Sequence, residues 1–399
     1  MKTMTFDRFL KETKYYLGLI VLLVIGALSS PIDGGGGNIF LSGNNLSDVF
    51  RQVSNIGIIS IGMTLVIIAG GIDLSVGAIV SLGSVLAAIL LTEAGWNSAA
   101  GFGVITSSLA VFVIVFMTLR LTHPKVLIGN DSEKPRRWPL IAAALAVAAI
   151  FVGLVVNQVP NKMSVLLVLF FVPLAGATVG AINGLVITRG KIQPFIATLA
   201  SMVAILGTTK LISGQDAAVR AIYSSNSSKN IEILRSLLFD VVPVPALFFL
   251  VVTLIFGFVL SRTVYGKHLY AIGGNERCAR LIGLHVDRSK LITYAISGFL
   301  SALVGVLFAA QFRQGKADAG QGWELDAIAA VVIGGSALTG GQGRISGTVA
   351  GVLIFGFLGN ILLLNNIDSN TQLLLKGIII LVAVFMQQTP LSALAFWRK

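Results

Sequence analysis

Five charged side chains stand inside or at the edge of apolar runs: Asp73, Lys210, Glu324, Asp326 and Lys376. A charge at the centre of a bilayer costs at least about 2.5–3.5 kcal/mol, so such a group pairs, faces a polar cavity or sits at an interface. Asp73 is placed to cap the helix that begins near Leu74 by accepting backbone N–H bonds. Glu324 and Asp326 are placed to start theirs, where the positive end of the helix dipole favours acids. Other chemistry lacks its residues. His123, His268 and His285 lie in or beside loops with no HExxH-type spacing. The one cysteine, Cys278, supports neither an internal disulfide nor a metal cluster. Gly190-Lys191 and Gly266-Lys267 are followed by Ile and His, so no P-loop is present to hold a nucleotide. No convergent nucleophile, base or metal set is visible. The expectation is therefore a chain with no catalytic residue, no metal and no cofactor, whose ATP, if any, is bound by a partner.

The elements that position these charges are set by composition. The chain is 55% hydrophobic and 12% charged, against roughly 25% charged in a soluble domain. Apolar runs near 20 residues recur, and they are continuous rather than alternating, which selects helices over a closed barrel. The fold class is all-α: a polytopic transmembrane helical bundle of about twelve spans in one transmembrane domain, 1–399. The first is an uncleaved helix at Tyr15–Ser30 rather than a signal peptide. The others fall at 54–69, 74–92, 101–119, 138–157, 164–187, 192–212, 246–261, 291–311, 324–338, 345–364 and 371–387. With both termini cytoplasmic, twenty Lys and Arg lie on inner segments and seven on outer ones, as the positive-inside rule requires. The same rule accounts for a net charge of +12 without nucleic acid as a partner.

Glycine interrupts two runs, at Ala69–Gly77 and at Ile333–Gly347. Such breaks mark either a substrate route or short turns between ordinary helices. Both pair Gly-Gly with a downstream Ser-x-Gly or Ser-Gly, a faint internal duplication. Gly176, Gly180 and Gly184, then Gly347 and Gly351, recur at the spacing that lets helix backbones approach. Two longer segments join the spans: an outer one at 213–245, and an inner one at 262–290 with six basic residues and a helix-like run at Asn275–Leu284.

Read together, these residues resemble the sugar permeases of ABC importers of the ribose, xylose and galactose type. The resemblance runs through Ile68-Ala-Gly-Gly-Ile-Asp-Leu-Ser-Val-Gly-Ala78, Gly180-Ala-Ile-Asn-Gly-Leu185 and Pro194-Phe-Ile-Ala-Thr-Leu199. It is densest in Tyr270-Ala-Ile-Gly-Gly-Asn-Glu276, Ala279-Arg-Leu-Ile-Gly283, Glu324-Leu-Asp-Ala-Ile-Ala-Ala330, Val332-Ile-Gly-Gly-Ser336, Thr339-Gly-Gly-Gln-Gly343 and Lys376-Gly-Ile-Ile379. It implies a permease in the inner membrane, paired with a second copy or a paralogue. Further partners would be a cytoplasmic ABC ATPase and an extracytoplasmic sugar-binding protein. Residues 262–290 would be the coupling segment, with Glu276, Arg277, Ala279, Arg280 and Gly283 in its ATPase-docking helix. Asp73, Ser75, Asn183, Glu324, Asp326 and Asn360 would be candidates for the translocation path. Three departures stand out. The family has about ten spans, so 101–157 is an extra hairpin. Gly359-Asn-Ile361 and Met386-Gln-Gln388 also depart from the usual residues, which weakens any assignment of substrate contacts. The cargo would be a pentose or hexose, with a nucleoside or other small polar solute as the alternative. An ion-coupled secondary transporter or a membrane enzyme would be the readings from other classes.

Overall fold

The computed structural model describes residues 6–93, 108, 111, 163–214, 219–223, 231–238 and 242–388. The apolar runs form helices wherever they are described. Helix α1 (Phe6–Ser29) is followed by α2 (Gly43–Ile68), which Ser42 caps by accepting from the Asn45 N–H. Helix α3 (Val76–Thr92) precedes α4 (Val165–Gly190) and α5 (Pro194–Ser213). Then come α6 (Val244–Arg262), the short helices α7 (Val264–Gly274) and α8 (Glu276–Leu281), and the long α9 (Val286–Phe312). Helices α10 (Trp323–Ile333), α11 (Ile345–Leu364) and α12 (Ser369–Gln388) complete the described chain. Six of these, α2, α4, α5, α6, α9 and α11, are long and apolar enough to cross a membrane.

Helix α3 is the axis of the bundle. Residues Val76–Leu91 are buried along its whole length, jacketed by α9, α5 and α4. Helices α4 and α9 lie against each other through the glycine stripe: Gly176, Gly180 and Gly184 meet the backbone of Gly298, Tyr294 and Leu291 and leave no room for a methyl group. In lipid, close backbone approach and van der Waals packing replace the hydrophobic effect as the force between helices, which is why glycine recurs here. Gly347 and Gly351 do the same for α11 against α10. The outward faces are apolar instead: Leu211, Leu254, Phe258 and Leu381 are each at least 63% exposed. So extensive an uncovered apolar surface marks contact with lipid or another chain.

Helices α2, α4 and α6 end at the side of the bundle where α7 and α8 sit, here the α8 end. At the far end, the segment after α5 folds into a small cap. Strands β1 (Arg220–Ala221), β2 (Leu237–Leu238), β3 (Val242–Pro243) and β4 (Gln314–Gly315) form two antiparallel pairs, β1 with β4 and β2 with β3. Between them a 3₁₀ turn, Ile231–Arg235, buries Ile231 and Leu234. Arg220 binds Glu93 at 2.7 Å and Arg313 binds Glu232 at 2.9 Å, closing the cap over α3 and α9. Of the outer segment expected at 213–245, the described residues form this cap, with buried residues of their own.

Three expectations change. Helix α1 begins at Phe6, nine residues before the expected Tyr15. Helix α2 begins at Gly43, eleven residues before the expected 54, because its polar first half is helical too. The expected span at 324–338 is α10, only 11 residues, which at 1.5 Å per residue rises about 16 Å, half the hydrocarbon thickness. The other half of that crossing is non-helical: the segment after β4 descends along α3, with the Lys316 N–H on Ser84 Oγ at 3.2 Å and the Gly320 N–H on Ser81 Oγ at 3.1 Å. Irregular backbone at this depth is tolerated because its polar groups are satisfied inside protein. The spans expected at 101–119 and 138–157 lie outside the described residues, apart from 108 and 111.

Candidate functional site

Both Gly-Gly breaks begin as helix stops of one kind. After α2, Gly70 takes φ +76°; its N–H binds Ile67 O, and that of Gly71 binds Val66 O. After α10, the N–H groups of Gly335 and Ser336 bind Val332 O and Val331 O in the same order. This paired pattern satisfies the last helix carbonyls and needs a left-handed residue, which glycine adopts without strain. The turn reading of the breaks therefore describes how each helix ends. The link between α2 and α3 is more specialised.

Asp73 sits in that link, fully buried, as is Ser75. Its Oδ1 accepts from the Ser75 N–H at 3.1 Å and from Ser75 Oγ at 2.6 Å. Its Oδ2 accepts from Ser297 Oγ of α9 at 2.8 Å. Asn183 of α4, also buried, donates to Ser75 Oγ at 2.9 Å, and Thr198 of α5 donates to Ile72 O at 3.2 Å. Three of the residues expected on the path, Asp73, Ser75 and Asn183, are brought together in this way. They form a sealed latch that ties the link to α4, α5 and α9, not an open wall. Beside it the Tyr294 hydroxyl is buried with no hydrogen-bond partner among the described residues.

The other path candidates gather elsewhere. Asp326 binds Lys376 of α12 at 3.1 Å, and the Lys376 ammonium lies 5.3 Å from the centre of the Phe355 ring. Glu324 accepts from the Gly322 N–H at 3.2 Å, and its carboxylate packs against Gly77. Both acids occupy the first turn of α10, as their helix-starting role requires. Asn360 of α11 exchanges side-chain amide hydrogen bonds with Asn45 of α2, at 2.7 and 3.1 Å. Asn45, Asn360 and Lys376 border a cleft of about 200 Å³ between α2, α11 and α12.

At the α8 end, Asn275 caps α8 by accepting from the Cys278 N–H at 3.0 Å. Gly283, at φ +83°, stops it with the same paired pattern seen after α2, donating to Arg280 O while Leu284 donates to Ala279 O. Glu276 binds Arg280 at 2.8 Å and Lys290 at 2.6 Å, and Arg280 also binds Asp287 at 2.5 Å. Burial pushes the Glu276 carboxyl up, but the hydrogen bonds and charges of Lys290 and Arg280 outweigh it, leaving its pKa below the ordinary value. Hydrogen bonds to Asp287 and Glu276 raise that of Arg280. Ala279 is 2% exposed and packs inward with Ile272 and Val286, so it belongs to the base of α8 and not to its outer face. Arg277 points out, next to Leu281 and Ile282, which are 81% and 74% exposed.

Sequence reasoning left out Ser297 and Asn45, and it met Leu281, Ile282 and Lys376 only within the motifs of the resemblance, Lys376 also as a charge in an apolar run. Lys376 and Asn45 carried a usable signal, a polar group within or before an apolar helix. Ser297 carried none.

These features define a polytopic helical membrane protein. A family model described as the branched-chain amino acid transport system / permease component matches residues 45–130 and 141–384, and the chain belongs to that family. Among curated proteins, it is 34% identical over 387 residues to the ribose import permease protein RbsC of Bacillus subtilis, across 97% of this chain and 96% of the relative. RbsC of Escherichia coli K12 is 33% identical over 379 residues, 94% of each chain. The xylose transport system permease protein XylH of Haemophilus influenzae is 32% identical over 385 residues, 93% of this chain and 95% of the relative. No solved structure matches the chain.

Proposed function

We propose that the chain is the membrane-spanning subunit of an ATP-binding-cassette importer that carries a sugar, a pentose or a hexose. It would work with a second permease copy or paralogue, a cytoplasmic ATPase that binds the ATP, and an extracytoplasmic sugar-binding protein. The cargo reading rests on relatives named for ribose and xylose that match this chain nearly end to end. The geometric observation that carries the rest is α8: a short helix clamped at its base by Glu276, Arg280, Asp287 and Lys290, presenting Arg277, Leu281 and Ile282 outward. Exposed leucine and isoleucine beside a cation suit a groove on a protein partner better than water. In this reading the α8 end is cytoplasmic, as are both termini, and the membrane is the cell's inner membrane.

Twelve crossings fit the described helices. Met163 donates to Leu90 O, so the chain leaves α3 and enters α4 at the same end, as an inserted hairpin at 101–157 requires. The interruption of the family match at 131–140 falls inside that stretch.

The test is uptake of radiolabelled D-ribose and D-xylose by the assembled importer in vesicles. Reversing Arg277 to Glu, or replacing Leu281 and Ile282 by Asp, should lower ATP-driven uptake at least tenfold with membrane insertion intact. Unchanged uptake in both variants would remove α8 as the docking element. Ion-driven accumulation by this chain alone in proteoliposomes would instead establish a secondary transporter.

A further inference from the structure

The cleft between α2, α11 and α12 lies outside the buried latch, and neither the Asp73 group nor the α8 base uses it. Its walls carry Asn45, Asp48, Gln52, Asn360, Gln372 and Lys376, and Val49, Ile56, Phe355 and Leu363 supply its apolar lining. Several polar atoms there have unused capacity. Gln52 is exposed and makes no hydrogen bond among the described residues. Gln372 donates one amide hydrogen to Ile367 O at 2.8 Å, leaving its carbonyl oxygen available. The volume, about 200 Å³, is smaller than the roughly 300 Å³ at which sites for drug-sized ligands begin; one small solute fits.

The charge balance narrows the solute further. The Asp48 carboxylate is matched by Arg51 at 3.3 Å and the Lys376 ammonium by Asp326 at 3.1 Å. A phosphate or carboxylate would find no uncompensated cation, and an ammonium no uncompensated acid, so removing either from water would cost more than the cleft returns. A neutral molecule with many hydroxyls meets the opposite situation: each hydroxyl both donates and accepts, and amide and ion-paired groups offer both functions. We propose that this cleft is a binding station for a neutral monosaccharide, reached from the far end of the bundle. The assignment rests on the sugar-permease reading above and names the place where this chain itself holds the cargo.

Gly359 borders the cleft and has open space where a side chain would stand. The test is therefore the full chain carrying Gly359→Cys with Cys278→Ser, labelled by a methanethiosulfonate reagent in nanodiscs. High D-ribose or D-xylose should slow labelling at least threefold, and ribose 5-phosphate or L-leucine at equal concentration should not. In the importer isolated through a tag on this chain, Gln52→Leu should raise the half-saturating sugar concentration several-fold while maximal uptake is kept. Labelling indifferent to every sugar, or slowed by L-leucine and not by D-ribose, overturns the station. Normal half-saturation in Gln52→Leu does so as well. If the wild-type importer moves neither sugar, the broader reading has failed; if it moves them and the cleft does not respond, only the station has.

Discussion

Asp73 shows how much one buried carboxylate can organise. Three hydrogen bonds converge on it from Ser75 and Ser297, and a buried donor deprived of its acceptor costs about 1–3 kcal/mol. Asp73→Ala strands the Ser75 and Ser297 hydroxyls together, so the detergent-solubilised protein should melt several degrees lower. Ser297→Ala, which removes one bond and leaves the others, should cost only about 1 kcal/mol. Thermal unfolding followed by a thiol-free fluorescent probe measures both; equal losses would mean that the latch is not a unit. Most of this latch is legible in the sequence. Asp73 announces itself as a charge in an apolar run, and Ser75 and Asn183 lie in motifs that the sugar permeases share. Ser297 does not, because a serine within a helix has no distinguishing pattern and its partner lies 224 residues away. The pairing of Asn45 with Asn360, 315 residues away, is hidden for the same reason, although each is a polar group within or before an apolar helix.

At the scale of elements, the terminators are readable and the lengths are not. Gly-Gly pairs announce the ends of α2 and α10, and a capping Asn275 with Gly283 bounds α8. The polar first half of α2 goes unseen because an apolar-run criterion stops short of Arg51 and Gln52, the latter of which in the fold borders the cleft. Helix α10 looks like a full span since its apolar content continues past Ile333 into the glycine turn. Gly283 tests the α8 stop. A side chain in the left-handed region costs roughly 1–2 kcal/mol, so Gly283→Ala should speed amide exchange through α8, residues 276–281, and leave α9 unchanged; equal protection would contradict the assignment. Glu276 gives α8 a pH dependence. Its folded pKa lies below the ordinary value of 4.5, so its contribution is complete above that value and is lost as pH falls through the folded pKa. Protection factors of the α8 amides, corrected for intrinsic exchange, should therefore fall on acidification from about pH 6 to pH 3, and Glu276→Gln should flatten the response. The effect is small, since Glu276 is 41% exposed and solvent screens such pairs.

For the whole molecule, the division of labour follows from what the chain has and lacks. Its helices are jacketed around α3 by glycine-mediated contact, and its sequence holds no nucleotide-binding loop. In the importer reading, energy for transport then enters mechanically through a partner. The route is short: α7 presses Gly273 directly on the end of α2 at Ile68 and on the Gly340–Gly341 turn, and Tyr270 donates to Gly343 O at 2.7 Å. Displacement of α8 thus reaches both glycine breaks through backbone contacts. A larger residue at position 273 should uncouple ATP hydrolysis from uptake while α8 still binds its partner, as co-purification of the ATPase would report.

The single cysteine of the chain, Cys278, is exposed on α8 and permits a direct test with the wild-type protein. Membrane-impermeant maleimide should label it in inside-out vesicles, remain without effect on right-side-out vesicles, and be blocked when the ATPase is bound. Labelling from the exterior of right-side-out vesicles would place α8 on the wrong side of the membrane and contradict a cytoplasmic docking helix.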